Sequence, residues 1–438
     1  MNNIPLDETH DPARRSWVGS ANKHDCNFPI QNLPFGVFRK GSDRKARIGV
    51  AIGDFILDLG EIASQLDGEI DNAFDLLQAG SLLPLMWQPP SAWTVLRKAL
   101  AGLLEAGSHS RAACEPHLVP IAQAQMLMPV RPGGFVDFFA SIQHATNAGS
   151  LFRPTSPLLA NYKYVPIGYN GRASTIRPGG GEIRRPNGQR KIPDRDVPDF
   201  GPSQRLDYEM EIGIFLGGNT QIGCPVPVPD AWEHIFGFCL LNDWSARDIQ
   251  AWEYQPLGPF LGKSFATSIS PWIVTADALR PFRVPAFVRV AGDPKPLPYL
   301  FDARDQETGA VDIEVETWFR SDTMAKSDQL PIRLSTASAA KLYWTPAQMV
   351  AHQTSNGCNI EAGDLYGTGT VSGDTRDSLG SLLEITRGGS ESLVLPDGVA
   401  RTFLEDGDEI TLKARCRRDG FVTIGFGTCS GRVVAASV

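Results

Sequence analysis

The chain has 438 residues, 42% hydrophobic and 21% charged, an ordinary globular composition with length for roughly two or three domains. Its formal net charge of -8 argues against nucleic acid or an anionic membrane as partner, and its seven cysteines, without a Cys-x-x-Cys pair, disfavour a disulfide framework and a structural zinc site. The N-terminus lacks a basic start and an apolar run, and nothing approaches the ~18 apolar residues of a membrane span, so a soluble, cytoplasmic protein is expected.

Residues 1–30 are polar and read as an irregular arm. Short strands follow at 35–39 and 46–59, the latter folded back at Gly53-Asp54, and make a small β module. Trp93, Leu96, Leu100, Leu103 and Leu104 recur at helical spacing over 91–107, a helix expected to dock on that module. Pro and Gly punctuation over 117–134 marks a boundary, dividing the chain into 1–127 and 128–438. Beyond it, 177–205 is rich in Gly, Pro and charge and reads as a long irregular excursion. Strand signals stand at 206–216, 235–242, 269–274, 311–319, 381–386, 409–417 and 421–434. Beyond the boundary helices are confined to short stretches at 138–151, 230–236, 245–254 and 346–356, so the fold class is mostly β, of the α+β kind.

The segment Leu-Asp-Tyr-Glu-Met-Glu-Ile-Gly-Ile-Phe-Leu at 206–216 puts two carboxylates inside an apolar strand. Alternation places Glu209 and Glu211 on one face and Met210, Ile212 and Ile214 on the other. Two such charges repel unless a divalent cation lies between them, and oxygen ligands suit Mg²⁺ or Ca²⁺ over Zn²⁺. A solvated strand face is the other account, and Asp207 shares that face, so periodicity alone does not choose among the three acids.

Asp243 ends a strand just before a helix that Ser245 and Asp248 are expected to cap. On that helix Arg247, Gln250 and Tyr254 share a face, either a receptor for a carboxylate or oxyanion or a hydrated surface, while Trp244 and Trp252 are expected to pack. His144 stands seven positions beyond Asp137, roughly 10 Å along the axis if both are helical, which suits a base near a metal carboxylate better than a shared ligand. Gly258-Pro-Phe-Leu-Gly-Lys-Ser fails as a phosphate loop, because its glycines are one residue too close and Pro259 removes a backbone N–H. Lys263 and Thr267 read either as a cation and a hydroxyl beside the acids or as ordinary loop residues. Gly367-Thr-Gly-Thr-Val-Ser-Gly fails the dinucleotide pattern, and its glycines are expected to let backbone approach a ligand.

Taken in order, Asp137-Phe-Phe-Ala-Ser-Ile-Gln-His144-Ala-Thr-Asn, Pro166-Ile-Gly-Tyr169-Asn-Gly-Arg, Leu206-Asp-Tyr-Glu-Met-Glu, Leu241-Asn-Asp-Trp-Ser-Ala-Arg-Asp-Ile-Gln, Pro256-Leu-Gly-Pro-Phe-Leu-Gly-Lys-Ser and Gly369-Thr-Val-Ser-Gly closely resemble the fumarylacetoacetase family over most of the chain. The resemblance implies a homodimer with an N-terminal SH3-like β-barrel and a C-terminal mixed β-sandwich roll. It also implies hydrolysis of the carbon–carbon bond of 4-fumarylacetoacetate to fumarate and acetoacetate, the last step of tyrosine and phenylalanine catabolism. By position, Asp137, Glu209, Glu211 and Asp243 would hold Ca²⁺ or Mg²⁺, with Lys263 and Thr267 near the ion. His144 would activate water, oriented by Glu384, and Arg247, Gln250 and Lys263 would stabilise the departing carbanion. Arg153, Tyr169, Gln250, Tyr254 and Thr370 would bind the small diketo acid. The family places a tyrosine where this chain has Phe139, so one substrate hydrogen bond is missing there. The alternatives are another diketone or acylpyruvate hydrolase of the same superfamily, or a catalytically silent metal- or carboxylate-binding protein.

Overall fold

Short apolar strands with period-2 burial need a second layer to cover them, and three sets of packed elements supply it here. The computed structural model describes residues 4–66, 72–192, 195–396 and 398–437. The N-terminal module is an antiparallel five-stranded sheet ordered Leu118–Pro120, Phe55–Asp58, Arg47–Ile52, Phe35–Lys40 and Ala124–Leu127. Its hairpin turns at Gly53 with φ +59°, where a Cβ would meet the Ser20 hydroxyl at 2.2 Å, so only glycine fits both the dihedral and the space.

The larger part of the chain holds an eight-stranded sheet whose path runs Gly168–Asn170, Phe135–Phe138, Leu365–Gly367, Met210–Leu216, Ile235–Asp243, Thr267–Ile269 and Ile176–Pro178, with Val274–Thr275 beside Ile235–Asp243. A five-stranded sheet, ordered Ile332–Ser338, Glu314–Arg320, Glu409–Cys416, Ile424–Val434 and Gly181–Arg184, packs on one face of it. Met210, Ile212 and Ile214 enter that shared core with Val315, Phe319, Leu412 and Phe426. The opposite face is covered too. Phe215, Phe236, Leu241, Ile269 and Leu365 pack with Leu96, Leu100 and Val50 of the N-terminal module, and Trp93 meets Phe236 edge-on at 5.2 Å. The helix Pro90–Leu104 thus buries the apolar face expected of it, but against the large sheet as well as its own module.

Several local expectations give way to tertiary pairing. The stretch 177–205 is not irregular: Ile176–Pro178 and Gly181–Arg184 add parallel strands to the two sheets, and Asn187–Arg190 pairs with Asp199–Pro202, residues 193–194 lying outside the described set. The partners of the two parallel strands lie 91 and 250 positions away, which local composition does not reveal. The 381–386 strand is instead a helical turn, Leu382–Ile385, capped by the Ser381 side chain. The helix expected from 138 begins at Ile142, where Ser141 Oγ accepts from the His144 N–H; Asp137 belongs to a strand, so it and His144 are not two turns apart on one helix.

Candidate active site

Four carboxylates converge at one end of the eight-stranded sheet. Asp137, Glu211 and Asp243 come from three of its strands, and Glu209 from the two-residue break between Leu206–Asp207 and Met210–Leu216. One oxygen from each lies within 4.8 Å of the others. The strand between those of Asp137 and Glu211 presents Gly367 opposite Asp137, and a Cβ there would sit 2.5 Å from Asp137 Oδ1 and 2.9 Å from Glu211 Oε2. The acids can therefore lean toward each other across a strand that carries no side chain at that point. All four are buried, Glu211 completely, because both sheet faces are covered; the solvated-face account fails for that reason.

The electrostatics follow from burial. Burial, with the charges of Asp243 and of Asp137 respectively, pushes Asp137 and Glu211 well above the usual carboxylate range. Burial also raises Asp243, although Lys263 opposes it. For Glu209 burial acts upward but is outweighed by Lys263 and Arg247, which hold it below its ordinary value. Lys263 Nζ lies 2.6 Å from Glu209 and 2.7 Å from Asp243, Arg247 Nη1 lies 2.7 Å from Glu209, and the hydroxyls of Tyr169 and Thr267 donate to Asp243 at 3.0 and 3.4 Å. Asp137 Oδ1 and Glu211 Oε1 are buried with no hydrogen-bond partner. Five carboxylates, counting Asp207, against Arg247 and Lys263 leave excess negative charge on unsatisfied oxygens, a donor set that fits a hard divalent cation.

A cavity of about 510 Å³ opens beside these acids. It is lined by Asp137, Phe139, His144, Arg153 and Tyr169, and further by Glu209, Arg247, Gln250, Tyr254 and Lys263. Glu211, Asp243 and Thr267 are buried and absent from its wall, and Thr370 is likewise a buried hydroxyl with no partner. Glu384 stands behind His144: its Oε2 is 2.7 Å from His144 Nδ1 and accepts from Ser372 and Ser381 at 2.8 and 3.0 Å, while Oε1 accepts from Asn147 at 2.9 Å. Burial opposes ionisation of Glu384, but His144 and these donors win and lower its carboxyl. An ionised Glu384 takes the Nδ1–H, leaving Nε2 as the basic nitrogen. A larger cavity, about 660 Å³, reaches Asn147 and Glu384 from the other side but holds neither His144 nor any cage acid.

The helix Arg247–Glu253 differs from expectation in its anchoring. No Ser245–Asp248 cap forms; Ser245 Oγ donates to the Asp243 carbonyl, and Asp248 accepts from Ser203 Oγ and the Gln204 N–H. Arg247 is buried rather than hydrated: Nε donates to Asp207 at 2.9 Å, Nη1 approaches Gln250 Oε1 at 3.3 Å, and Nη2 has no partner. Trp244 packs in the core as expected, whereas Trp252 is 40% exposed and bonds Gln189. Sequence reasoning missed Asn147 and Ser372 as holders of Glu384, though Asn147, three residues after His144, shares its helical face.

Four carboxylates with oxygens within 4.8 Å of one another, next to a histidine backed by a glutamate, equip a chain for metal-assisted hydrolysis. Residues 135–434 match the family model described as fumarylacetoacetate (FAA) hydrolase, C-terminal, and residues 31–129 match fumarylacetoacetase, N-terminal. The chain belongs to the fumarylacetoacetate hydrolase family. It is 43% identical to a fumarylacetoacetase of Oryza sativa over 94% of this chain and 95% of that one, and 42% identical to that of Homo sapiens over 94% and 97%. Among solved structures, a fumarylacetoacetate hydrolase from Exiguobacterium antarcticum superposes with TM-score 0.50 at 20% identity, covering 92% of this chain and 99% of that one, a likeness of fold.

Proposed function

We propose that the protein hydrolyses 4-fumarylacetoacetate to fumarate and acetoacetate, closing tyrosine and phenylalanine breakdown. The observation that carries this reading is a buried four-carboxylate cage, two of whose acids, Asp137 and Glu209, line one cavity with His144, the histidine that Glu384 backs. Asp137, Glu209, Glu211 and Asp243 would hold Ca²⁺ or Mg²⁺, with Lys263 and Thr267 bracing the acids; when bound, the ion supplies Lewis-acid polarisation of the diketone oxygens. His144 takes a proton from water, whose oxygen bonds to the carbonyl carbon on the fumaroyl side. Glu384 fixes the tautomer and stabilises the imidazolium. The carbon–carbon bond breaks with its electron pair leaving on the acetoacetate fragment, and Arg247, Gln250 and Lys263 face that charge until the His144 imidazolium returns its proton to the carbon. Arg153, Tyr169, Gln250 and Tyr254, which line the cavity, bind the substrate, joined by Thr370 once its buried hydroxyl, next to the lining Gly369, turns toward the cavity. Purified protein with Mg²⁺ or Ca²⁺ is expected to bleach the ultraviolet absorbance of the diketone, and absence of turnover by the metal-loaded wild type refutes the reading.

Phe139 favours one rival. Its ring stands edge-on to His144 at 5.3 Å and lines the cavity with hydrocarbon, which suits a less polar diketone or an acylpyruvate. Relative kcat/KM on acylpyruvates and on fumarylacetoacetate decides between them. Division of the chain at 127/128, just inside the end of the N-terminal family match at 129, a homodimeric assembly and a cytoplasmic setting belong to the same proposal. No helix among the described residues is long and apolar enough to cross a membrane, and light scattering in solution tests the dimer.

A further inference from the structure

Asp207 has the alternation of the cage acids yet is not among them, and its completely buried carboxylate has other work. Its short strand, Leu206–Asp207, pairs with Ser245–Ala246, which sets Asp207 opposite Ser245 and beside the start of the Arg247 helix. Oδ2 accepts from Arg247 Nε at 2.9 Å and from the Leu383 N–H at 3.0 Å. Oδ1 accepts from the N–H groups of Leu382 and Tyr208, both at 2.8 Å. One carboxylate is thus shared between the guanidinium that faces the cavity and the helical turn whose third residue is Glu384.

We propose that Asp207 is a positioning residue that couples Arg247 to the turn carrying Glu384, holding the charge-stabilising group and the carboxylate behind the base in one register. The inference rests on the proposed hydrolysis. Arg247 is gripped at Nε by Asp207 and at Nη1 by Glu209, so its plane is fixed and Nη2, buried and unpartnered, is left for a substrate oxygen. On the other side, fixing the N–H groups of Leu382 and Leu383 fixes the turn from which Glu384 reaches His144. A purely structural acid would need only to satisfy its neighbours; this one joins two groups required at the same moment of the reaction.

Asp207→Asn keeps the shape but offers one oxygen where three segments need two, so either Arg247 or the turn loses its acceptor. Expected is a fall in kcat on the order of 100-fold with KM within about threefold. The deciding measurement is a double-mutant cycle: in an Arg247→Ala background the same substitution should cost under about tenfold, because part of its effect passes through the missing guanidinium. Added guanidinium ion should partly restore Arg247→Ala and not restore Asp207→Asn/Arg247→Ala. Equal losses in both backgrounds, rescue that ignores residue 207, or wild-type kcat in Asp207→Asn each overturn the coupling. Asp207→Ser replaces Asn if the latter does not fold, and failure of both to fold, judged by circular dichroism, overturns it in favour of a structural role. Wild type assayed alongside separates the two claims: an inactive wild type defeats the proposed hydrolysis, whereas an active wild type with an unaffected Asp207 variant defeats only the coupling.

Discussion

Gly367→Ala puts one methyl group into the floor of the carboxylate cage. The added carbon would lie 2.5 Å from Asp137 Oδ1, 2.9 Å from Glu211 Oε2 and 3.2 Å from the Asp137 carboxyl carbon. To recover an ordinary contact near 3.4 Å the Asp137 oxygen must retreat by about 0.9 Å and the Glu211 oxygen by about 0.5 Å. Coordination distances tolerate only about 0.2 Å. The displacement therefore weakens two of four ligands, and a loss of about 10–100-fold in divalent-ion affinity is expected, close to 1.4–2.7 kcal/mol. Folding should suffer less, since the displaced atoms are carboxylate tips already pushed together against their own charge. Isothermal titration with Mg²⁺ and with Ca²⁺ measures the affinity, and metal-free thermal unfolding measures the fold. A variant that binds either ion as tightly as the wild type would refute the view that Gly367 lets the acids converge on a cation.

Three further outcomes are expected. His144→Ala should keep ion affinity within about threefold while turnover falls by about 10³ or more, a split read by titration calorimetry beside the absorbance assay; a silent binding protein would have no turnover to lose. Phe139→Tyr should lower KM for fumarylacetoacetate by about fivefold, the value of roughly 1 kcal/mol for one hydrogen bond, and an unchanged KM would leave the hydrocarbon wall without consequence for that substrate. Asp305, far from the cage in sequence, is pushed up to about 6 by burial despite the Thr345 hydroxyl bonded to it. Its folded-state pKa lies above the ordinary aspartate value of 3.8, so it adds stability below about pH 4 that is lost as pH rises through 6. Asp305→Asn should therefore gain on the wild type between pH 4 and 7, by roughly 2–3 kcal/mol in urea unfolding, and parallel pH curves would contradict it.

The apolar alternation of Met210, Ile212 and Ile214 and the acids between them are legible because a strand turns every second residue the same way. What the alternation leaves open is the environment of the other face, since that depends on Trp93, Leu96 and Leu100 arriving from more than a hundred positions away. Gly367 could be recognised as a residue that admits close approach, but not what approaches, because Asp137 and Glu211 become its neighbours only through sheet order. Ser381-Leu-Leu-Glu384 reads as a strand from its leucines although it also carries a helix-start pattern, and the Ser381 cap together with Asp207 decides for the helix. Arg247 and Gln250 were spaced for one face, and only their burial separates a receptor from a hydrated surface.

The covering of the large sheet by the N-terminal module reaches beyond packing. With hydrocarbon on both sides, the strands bearing Glu211 and Asp243 have no water behind them to dilute their charge, so the module acts as an insulator for the cage. Small-residue changes at Trp93 or Leu96, which touch no reacting group, would let water approach from the rear and soften the grip on a cation. A catalytic segment without the N-terminal module would lose the dry wall that Leu96, Leu100 and Val50 give this sheet.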